Sequence, residues 1–143
     1  MTITFGTFKI FMDKKNKWYY KVYIFSRQSS MYKLRQMMSD EDKATKMKKH
    51  NYSAICSSFP SKLPENKYQY GVLMFTVKSS SNSGIVAHEM AHAINYWWRD
   101  GEKSTWLDIS KKEKVDEQFA WLFGSMVAQY WKNWYKIIEP KKK

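Results

Sequence analysis

Hydrophobic and polar positions alternate over the first 30 residues in the way that is typical of β-strands. Two runs rich in aromatic and β-branched residues, "ITFGTFKIFM" and "WYYKVYIFS", flank the polar segment "DKKNK". Runs of this kind on either side of a short polar stretch predict an antiparallel hairpin with a loop of about five residues. The chain is therefore predicted to begin with a β-hairpin.

A short helix, a loop and a further strand are predicted next. The segment "SMYKLRQMMSDEDKATKMKKH" lacks glycine and proline, and its apolar residues suit a short helix: Tyr32, Leu34, Met37 and Met38. Ser39 and the acidic residues after it favour a second helical turn. The two prolines of "SSFPSKLPENK" predict a loop. The nearly continuous apolarity of "YQYGVLMFTV" predicts a largely buried strand.

Two longer helices are predicted in the second half. Ser83 is the predicted N-cap of the first, which should run from Ile85 to about Trp98, with Gly101 just past its end. The capping box "SKKE" at 110–113 opens the second, which should run to Ile138 and end before the proline at 140. Its segment "FAWLFGSMVA" is apolar on nearly every side and is predicted to be the buried hub of the fold.

The length and the single cysteine limit the classes of protein. A chain of 143 residues predicts one domain, β-rich with short helices over 1–80 and helical over 83–139. Cys56 cannot form an internal disulfide, which is consistent with a reducing compartment, and it is interpreted as a small, partly buried side chain. The most apolar stretch, 119–128, is shorter than the roughly 20 residues of a membrane span. We expect no signal peptide, no membrane contact and a cytoplasmic location.

The charge balance is strongly basic. The 25 lysines and arginines outnumber 13 acidic residues, for a formal net charge of +12 at pH 7. Such a balance favours contact between the lysine-rich surface and nucleic acid or another polyanion. The chain has none of the Gly-rich or RNP-type motifs of dedicated nucleic-acid binders. A solvated lysine-rich face is the plainer interpretation.

A metal-binding pattern lies in the first long helix. His88, Glu89 and His92 spell His-Glu-x-x-His within "GIVAHEMAHAI". Residues four apart share one helix face, so both imidazoles can reach one Zn²⁺ at about 2.0–2.1 Å. Glu89 is turned about 100° from His88, where it can take a proton from a zinc-bound water. Two histidines bracing an apolar core without metal are the alternative, at the cost of buried polar groups without partners.

A third protein ligand is required for zinc catalysis, with one position left open for water. No histidine follows His92, so a carboxylate is expected, from among Asp100, Glu102, Asp108, Glu113, Asp116, Glu117 and Glu139. Only Asp116 and Glu117 enter the apolar C-terminal helix. Glu117 shares a stripe with Ala120, Trp121, Gly124 and Ala128, in which the small residues would let the motif helix approach closely. We predict Glu117 as the ligand and Asp116 as the residue that orients a histidine ring.

The motif helix "VAHEMAHAINYW" and the later "DEQFAWLFGSMV" together resemble the small zincin-type metallopeptidases common in bacteriophages and prophages. The resemblance covers roughly 83–130, a third of the chain. It implies a gluzincin-like zinc site formed by His88, His92 and Glu117, with Glu89 as the base. It also implies an α+β zincin-like fold, in which a small antiparallel sheet packs with the HExxH helix and a long buried C-terminal helix. The protein would be phage-encoded and act inside the bacterial host cell.

The leading hypothesis is a zinc-dependent metallopeptidase that hydrolyses peptide bonds in a peptide or protein substrate. The alternative is a non-catalytic, zinc-containing basic module that binds nucleic acid or a host protein, as a phage accessory or anti-defence factor. In such zincins a strand beside the active helix pairs with an extended substrate; "YQYGVLMFTV" fits that role and fits an interior strand equally well. Candidate donors to a developing oxyanion are Tyr68, Tyr96 and Tyr130, but in a chain with 17% aromatic residues each is more simply interpreted as a packing residue, and none is assigned to the site. The oligomeric state is open.

Overall fold

The structure, a computed structural model, describes residues 4–13, 15–38, 53–58, 67–99 and 112–142. Of residues 38, 58, 98–99, 112–116 and 139–142 it describes the backbone only. Four strands and four helices follow one another along the chain: β1 (Thr4–Phe11), β2 (Tyr19–Phe25), α1 (Gln28–Met38), β3 (Ala54–Ser58), β4 (Gln69–Thr76), α2 (Val77–Ser80), α3 (Ser83–Arg99) and α4 (Lys112–Lys142). The fold is therefore α+β, as predicted.

The four strands form one mixed sheet in the order β1-β2-β4-β3. The predicted hairpin is confirmed, because β1 pairs with β2 in antiparallel register. The prediction of an antiparallel sheet is wrong, because β2 and β4 are parallel. A parallel pair needs a long crossover connection, and here that connection contains α1 and the edge strand β3. The strand β4 lies between β2 and β3, so the interior-strand interpretation is the one confirmed.

The hairpin connection is closed by one carboxylate. Asp13 Oδ1 accepts backbone N–H bonds from Lys17 and Trp18, both at 2.8 Å. Asn16 has a φ of 53°, a left-handed conformation that asparagine tolerates better than most residues. The connection spans 12–18 and is longer than predicted.

The helices lie on both faces of the sheet. The larger core cluster joins the inward side chains of β1, β2 and β4 to α3 and α4. A smaller cluster on the opposite face joins β2, β3 and β4 to α1, through Met31 and Tyr32. This α1 is the short helix that the sequence predicts. No helix in the described part of the chain is long and apolar enough to cross a membrane.

The C-terminal helix α4 buries one row of large side chains spaced four residues apart: Leu122, Met126, Tyr130, Trp134 and Ile138. A flanking set is partly buried against the same core: Phe119, Phe123, Val127, Trp131 and Ile137. The Tyr130 hydroxyl donates to the Ser80 carbonyl at 2.7 Å, and Trp134 Nε1 donates to Ser80 Oγ at 2.9 Å. The amide of Gln129 bonds both the N–H and the carbonyl of Phe11, which covers part of the outer edge of β1. The opposite side of α4 is exposed at Ala120, Trp121, Gly124 and Ala128, so the prediction that this segment is the buried hub of the fold is wrong for that side.

Two helix boundaries differ from the predicted ones, the start of α3 and the end of α4. Asn82, not Ser83, caps α3, since its Oδ1 accepts the Ile85 N–H at 3.0 Å. The backbone of α4 stays helical through position 140 to Lys142. A proline in the last turn interrupts only the final bonds of the helix, which explains why the predicted stop fails. The predicted turn at Ser39, the glycine stop at 101 and the serine of the capping box at 110 lie outside the described residues.

Candidate functional site

Two side-chain caps, at Thr76 and at Asn82, shape the connection between β4 and α3. Thr76 ends β4 and caps α2 through a capping box with Ser79. Ser79 Oγ also donates to the Ser53 carbonyl at 2.7 Å, which holds the residue directly before β3 against α2. Asn82 then opens α3. The first turns of α3 consequently lie against β3.

The two histidines of α3 face each other. His88 Nε2 and His92 Nε2 are 3.2 Å apart, and the ring planes are inclined at 83°. A zinc ion bonded to two imidazole nitrogens at about 2.0–2.1 Å in tetrahedral geometry would hold them about 3.3 Å apart. Both rings are exposed, so a metal ion has access from solvent. The pair therefore has the separation and the access that a shared metal ion requires.

The protonation of His92 also suits metal binding. Partial burial lowers its pKa, and the neighbouring charge of His88 lowers that pKa further. The neutral imidazole is the form that binds a metal ion. The described arrangement thus keeps one ring of the pair in its ligating form at neutral pH.

Glu89 points inward from the same helical turn. Its side chain is 8% exposed, and burial raises the pKa of the carboxyl, while the charge of His88 opposes that rise. A groove of about 440 Å³ lies between the start of β3 and the first two turns of α3, and His88 and Glu89 both line it. The predicted trio is therefore brought together: the two Nε2 atoms are 3.2 Å apart, and the carboxylate of Glu89 lies beside His88 on the groove.

The strand along this groove is β3, which the sequence analysis missed. It is one of the two edge strands of the sheet and pairs antiparallel with β4 through residues such as Cys56 and Leu73. Cys56 packs against the larger core cluster, which places its side chain on the α3 side of the sheet. Burial, and after it the charge of Glu89, raises the pKa of its thiol. Cys56 is partly buried, as predicted. The short alternation in "YSAICSS" was the only sequence signal for this strand, and it is weak.

The predicted third ligand is not part of this group. Glu117 lies exposed on α4, and among the described residues no third histidine, cysteine, aspartate or glutamate joins His88 and His92 in a group that could hold a metal ion. The side chains of the remaining candidates lie outside the described residues: Asp100, Glu102, Asp108, Glu113, Asp116 and Glu139. The predicted orienting role of Asp116 is likewise not described.

Glu117 lies outside the histidine group because of the way α4 is rotated about its own axis, which determines which of its side chains face the sheet. The stripe that was expected to face the motif helix is exposed along its whole length: Glu117, Ala120, Trp121, Gly124 and Ala128. A Cβ added at Gly124 would meet nothing within 4 Å. The row of large side chains that starts at Leu122 is buried instead. Burying large apolar side chains releases more free energy than burying alanine and glycine, so the large row takes the sheet-facing side.

The three candidate oxyanion donors have different positions. Tyr130 is fully buried and its hydroxyl donates to Ser80, so it cannot reach a substrate. Tyr68 packs edge-on against Trp18 at the hairpin. The ring of Tyr96 lies 6.3 Å from that of His92 at an interplanar angle of 20°. Of these three, only Tyr96 borders the histidine pair.

Comparisons with known proteins assign no family to this chain. No family model, no curated protein and no solved structure matches it.

Proposed function

We propose that the protein is a zinc-dependent metallopeptidase whose site is built on α3. The observation that carries this proposal is the 3.2 Å separation of the two Nε2 atoms, with the buried carboxylate of Glu89 on the adjoining groove. His88 and His92 would hold the metal. A zinc ion bound by them would supply a water of lowered pKa and would polarise the scissile carbonyl. The resemblance of the two helical motifs to phage zincins supports the same function.

Glu89 acts as the general base in this proposal. Its carboxylate takes a proton from the attacking water and passes that proton to the leaving amine. Burial keeps its pKa above that of an ordinary glutamate, which makes the carboxylate a better proton acceptor once it is ionised. Its place on the groove lets it face both the water and the substrate.

The substrate in this proposal is an extended peptide that pairs with β3. An outer strand presents unpaired backbone groups, and adding a strand to such an edge is a common mode of peptide recognition. The start of β3 borders the groove through Ala54, with Ser53 directly before the strand. The role that the sequence analysis offered to β4 therefore passes to β3, because β4 is an interior strand. The zincin-like fold, phage origin and cytoplasmic location remain predictions from the sequence.

The experiment combines metal content with hydrolysis. Wild type purified without an affinity tag is expected to carry about one zinc per chain, and His92→Ala is expected to lose it. Glu89→Gln should retain the metal and lose hydrolysis of a quenched fluorescent peptide library by about 10²- to 10⁴-fold. Glu117→Ala is the matched control on the other helix and should retain the metal, since that side chain is exposed and outside the group.

Three results would contradict this account. A folded wild type that takes up no added zinc removes the metal site, and a fully active Glu89→Gln variant removes the base. Loss of zinc from Glu117→Ala would restore Glu117 as a ligand and would require a different position for α4.

The non-catalytic zinc module is a second candidate. It is favoured by the net charge of +12, which suits contact with nucleic acid or an acidic partner protein. In that case wild type would bind zinc through His88 and His92, and the peptide library would remain uncut by wild type and Glu89→Gln alike.

A further inference from the structure

The groove beside the histidine pair has two walls that come from different segments of the chain. One wall is the start of β3, with Ser53 and Ala54, and the other is the first two turns of α3, which Asn82 opens. Neither segment determines the width of the groove alone. That width depends on the contacts that hold the two walls relative to each other.

Ser79 of α2 is bonded to both walls at the same time. Its hydroxyl donates to the Ser53 carbonyl at 2.7 Å, directly before β3 begins. Its backbone carbonyl accepts the Asn82 N–H at 3.1 Å, where α3 begins. One residue therefore connects the two walls of the groove through two separate atoms.

The hydroxyl of Ser79 is itself held in place. Ser79 is buried, and its Oγ accepts the Thr76 N–H at 3.0 Å and the Thr76 hydroxyl at 3.1 Å. The Thr76 carbonyl is a more distant acceptor for the serine proton, at 3.3 Å, so the Ser53 carbonyl is the favoured one. One donated and two accepted bonds use the full capacity of a serine hydroxyl. Because Thr76 ends the interior strand β4, Ser79 holds the start of β3 relative to the centre of the sheet.

The neighbouring serine of α2 is buried as well but contacts a different part of the fold. Ser80 Oγ donates to the Val77 carbonyl at 2.7 Å and accepts the Trp134 Nε1–H at 2.9 Å. Its hydroxyl thus bonds α4, whereas the hydroxyl of Ser79 bonds the residue before β3. Comparing the two serines separates a contact with the groove wall from the loss of any buried hydroxyl.

We propose that Ser79 is a positioning residue for the peptide substrate, which it affects by fixing the separation of β3 from α3. The proposal rests on the proposed function, in which the peptide pairs with β3 and the reacting groups lie on α3. Ser79 acts without touching the substrate. It keeps the strand that binds the peptide at a constant distance from the helix that carries the histidine pair, and hydrolysis requires that alignment.

The first measurement is hydrogen–deuterium exchange in the metal-free full chain, which requires no activity. Ser79→Ala should speed the exchange of the β3 amides by about 2- to 12-fold, the factor that corresponds to one net hydrogen bond. Ser80→Ala is the matched control. It should leave β3 exchange as in wild type and should speed exchange in α4 around Trp134 instead. Circular dichroism checks that each variant is folded.

The second measurement is hydrolysis of the quenched fluorescent peptide library by the zinc-loaded protein. Ser79→Ala should raise the apparent KM by about 2- to 12-fold and leave kcat within about twofold, because substrate binding weakens while the reacting groups stay on one helix. Ser80→Ala should retain the wild-type KM. Thr76→Val breaks the capping box of α2 but keeps the hydroxyl of Ser79, so it should retain that KM as well.

Failure of this proposal is distinguishable from failure of the proposed function. A wild type that cleaves no peptide removes the proposed function, and with it the substrate that Ser79 would position. If wild type does cleave, the positioning role is overturned by a wild-type KM or unchanged β3 exchange in Ser79→Ala, by an equal rise of KM in Ser80→Ala, or by a fall in kcat alone. Ser79→Cys, which has a weaker donor of similar size, replaces Ser79→Ala under the same criteria if that variant does not fold.

Discussion

The two long helices on one face of the sheet differ in where their carboxylates lie. On α3 the carboxylate of Glu89 is buried at a groove, and His88 and His92 lie together at the surface. On α4 the carboxylate of Glu117 is exposed together with the stripe of small residues that follows it. Spacing within one helix is determined by its 3.6-residue repeat, whereas the side that a helix turns to its neighbours depends on what the whole fold buries.

The largest expected effect comes from the buried row of α4. Met126→Ala should lower the free energy of unfolding by about 2–5 kcal/mol, because Met126 is fully buried and its removal leaves a cavity. Ala128→Ser, on the exposed stripe, should change that free energy by less than about 0.5 kcal/mol. Urea unfolding of both variants gives the comparison. Equal losses would mean that the stripe is buried after all and that the phase of α4 is different.

Substitution of Gly124 should change the free energy of unfolding by a smaller amount and in the opposite direction. Gly124→Ala should stabilise the protein by about 0.5–1 kcal/mol, because an alanine Cβ meets nothing there and alanine is the better helix former. Gly6→Ala serves as the contrasting variant, since a Cβ at that position would lie 2.5 Å from Ile137 Cγ2 on α4. It should be destabilising by about 1–3 kcal/mol. Thermal unfolding measures both, and a destabilising Gly124→Ala would indicate that a neighbouring helix covers the stripe.

The smallest expected effect is a pH-dependent change in the free energy of unfolding, measured for substitutions of Glu89 and Glu117. Burial raises the pKa of Glu89, so its ionisation disfavours the folded state as pH rises from the ordinary glutamate pKa through the raised value. In chelator, Glu89→Gln should therefore unfold at a higher urea concentration than wild type at pH 7. The difference should vanish only at about pH 3, well below the ordinary glutamate pKa, where the carboxyl is protonated in both states. The control Glu117→Gln removes the same charge from an exposed position and should change the urea midpoint very little. A pH-independent gain for Glu89→Gln would mean that its carboxyl ionises as an ordinary one.

Much of the architecture follows from local pattern. The hairpin, α1, β4, α3 and the existence of a long C-terminal helix are all predicted from periodicity and turn residues. The strand β3 is missed because five residues of mixed character give almost no periodic signal. The parallel pairing of β2 with β4 is missed because strand order depends on contacts between distant segments, which neither segment encodes alone.

The candidate site likewise has one part that the sequence predicts and another that depends on the tertiary structure. The sequence by itself determined that two imidazoles and a carboxylate occupy one helical turn, because the spacing of His88, Glu89 and His92 sets their positions whatever surrounds the helix. Only the tertiary structure decided that Glu89 is buried at a groove, that β3 borders it, and that Glu117 turns away. Those outcomes depend on which side chains the sheet buries, and the large apolar row of α4 releases more free energy on burial than the small stripe that carries Glu117.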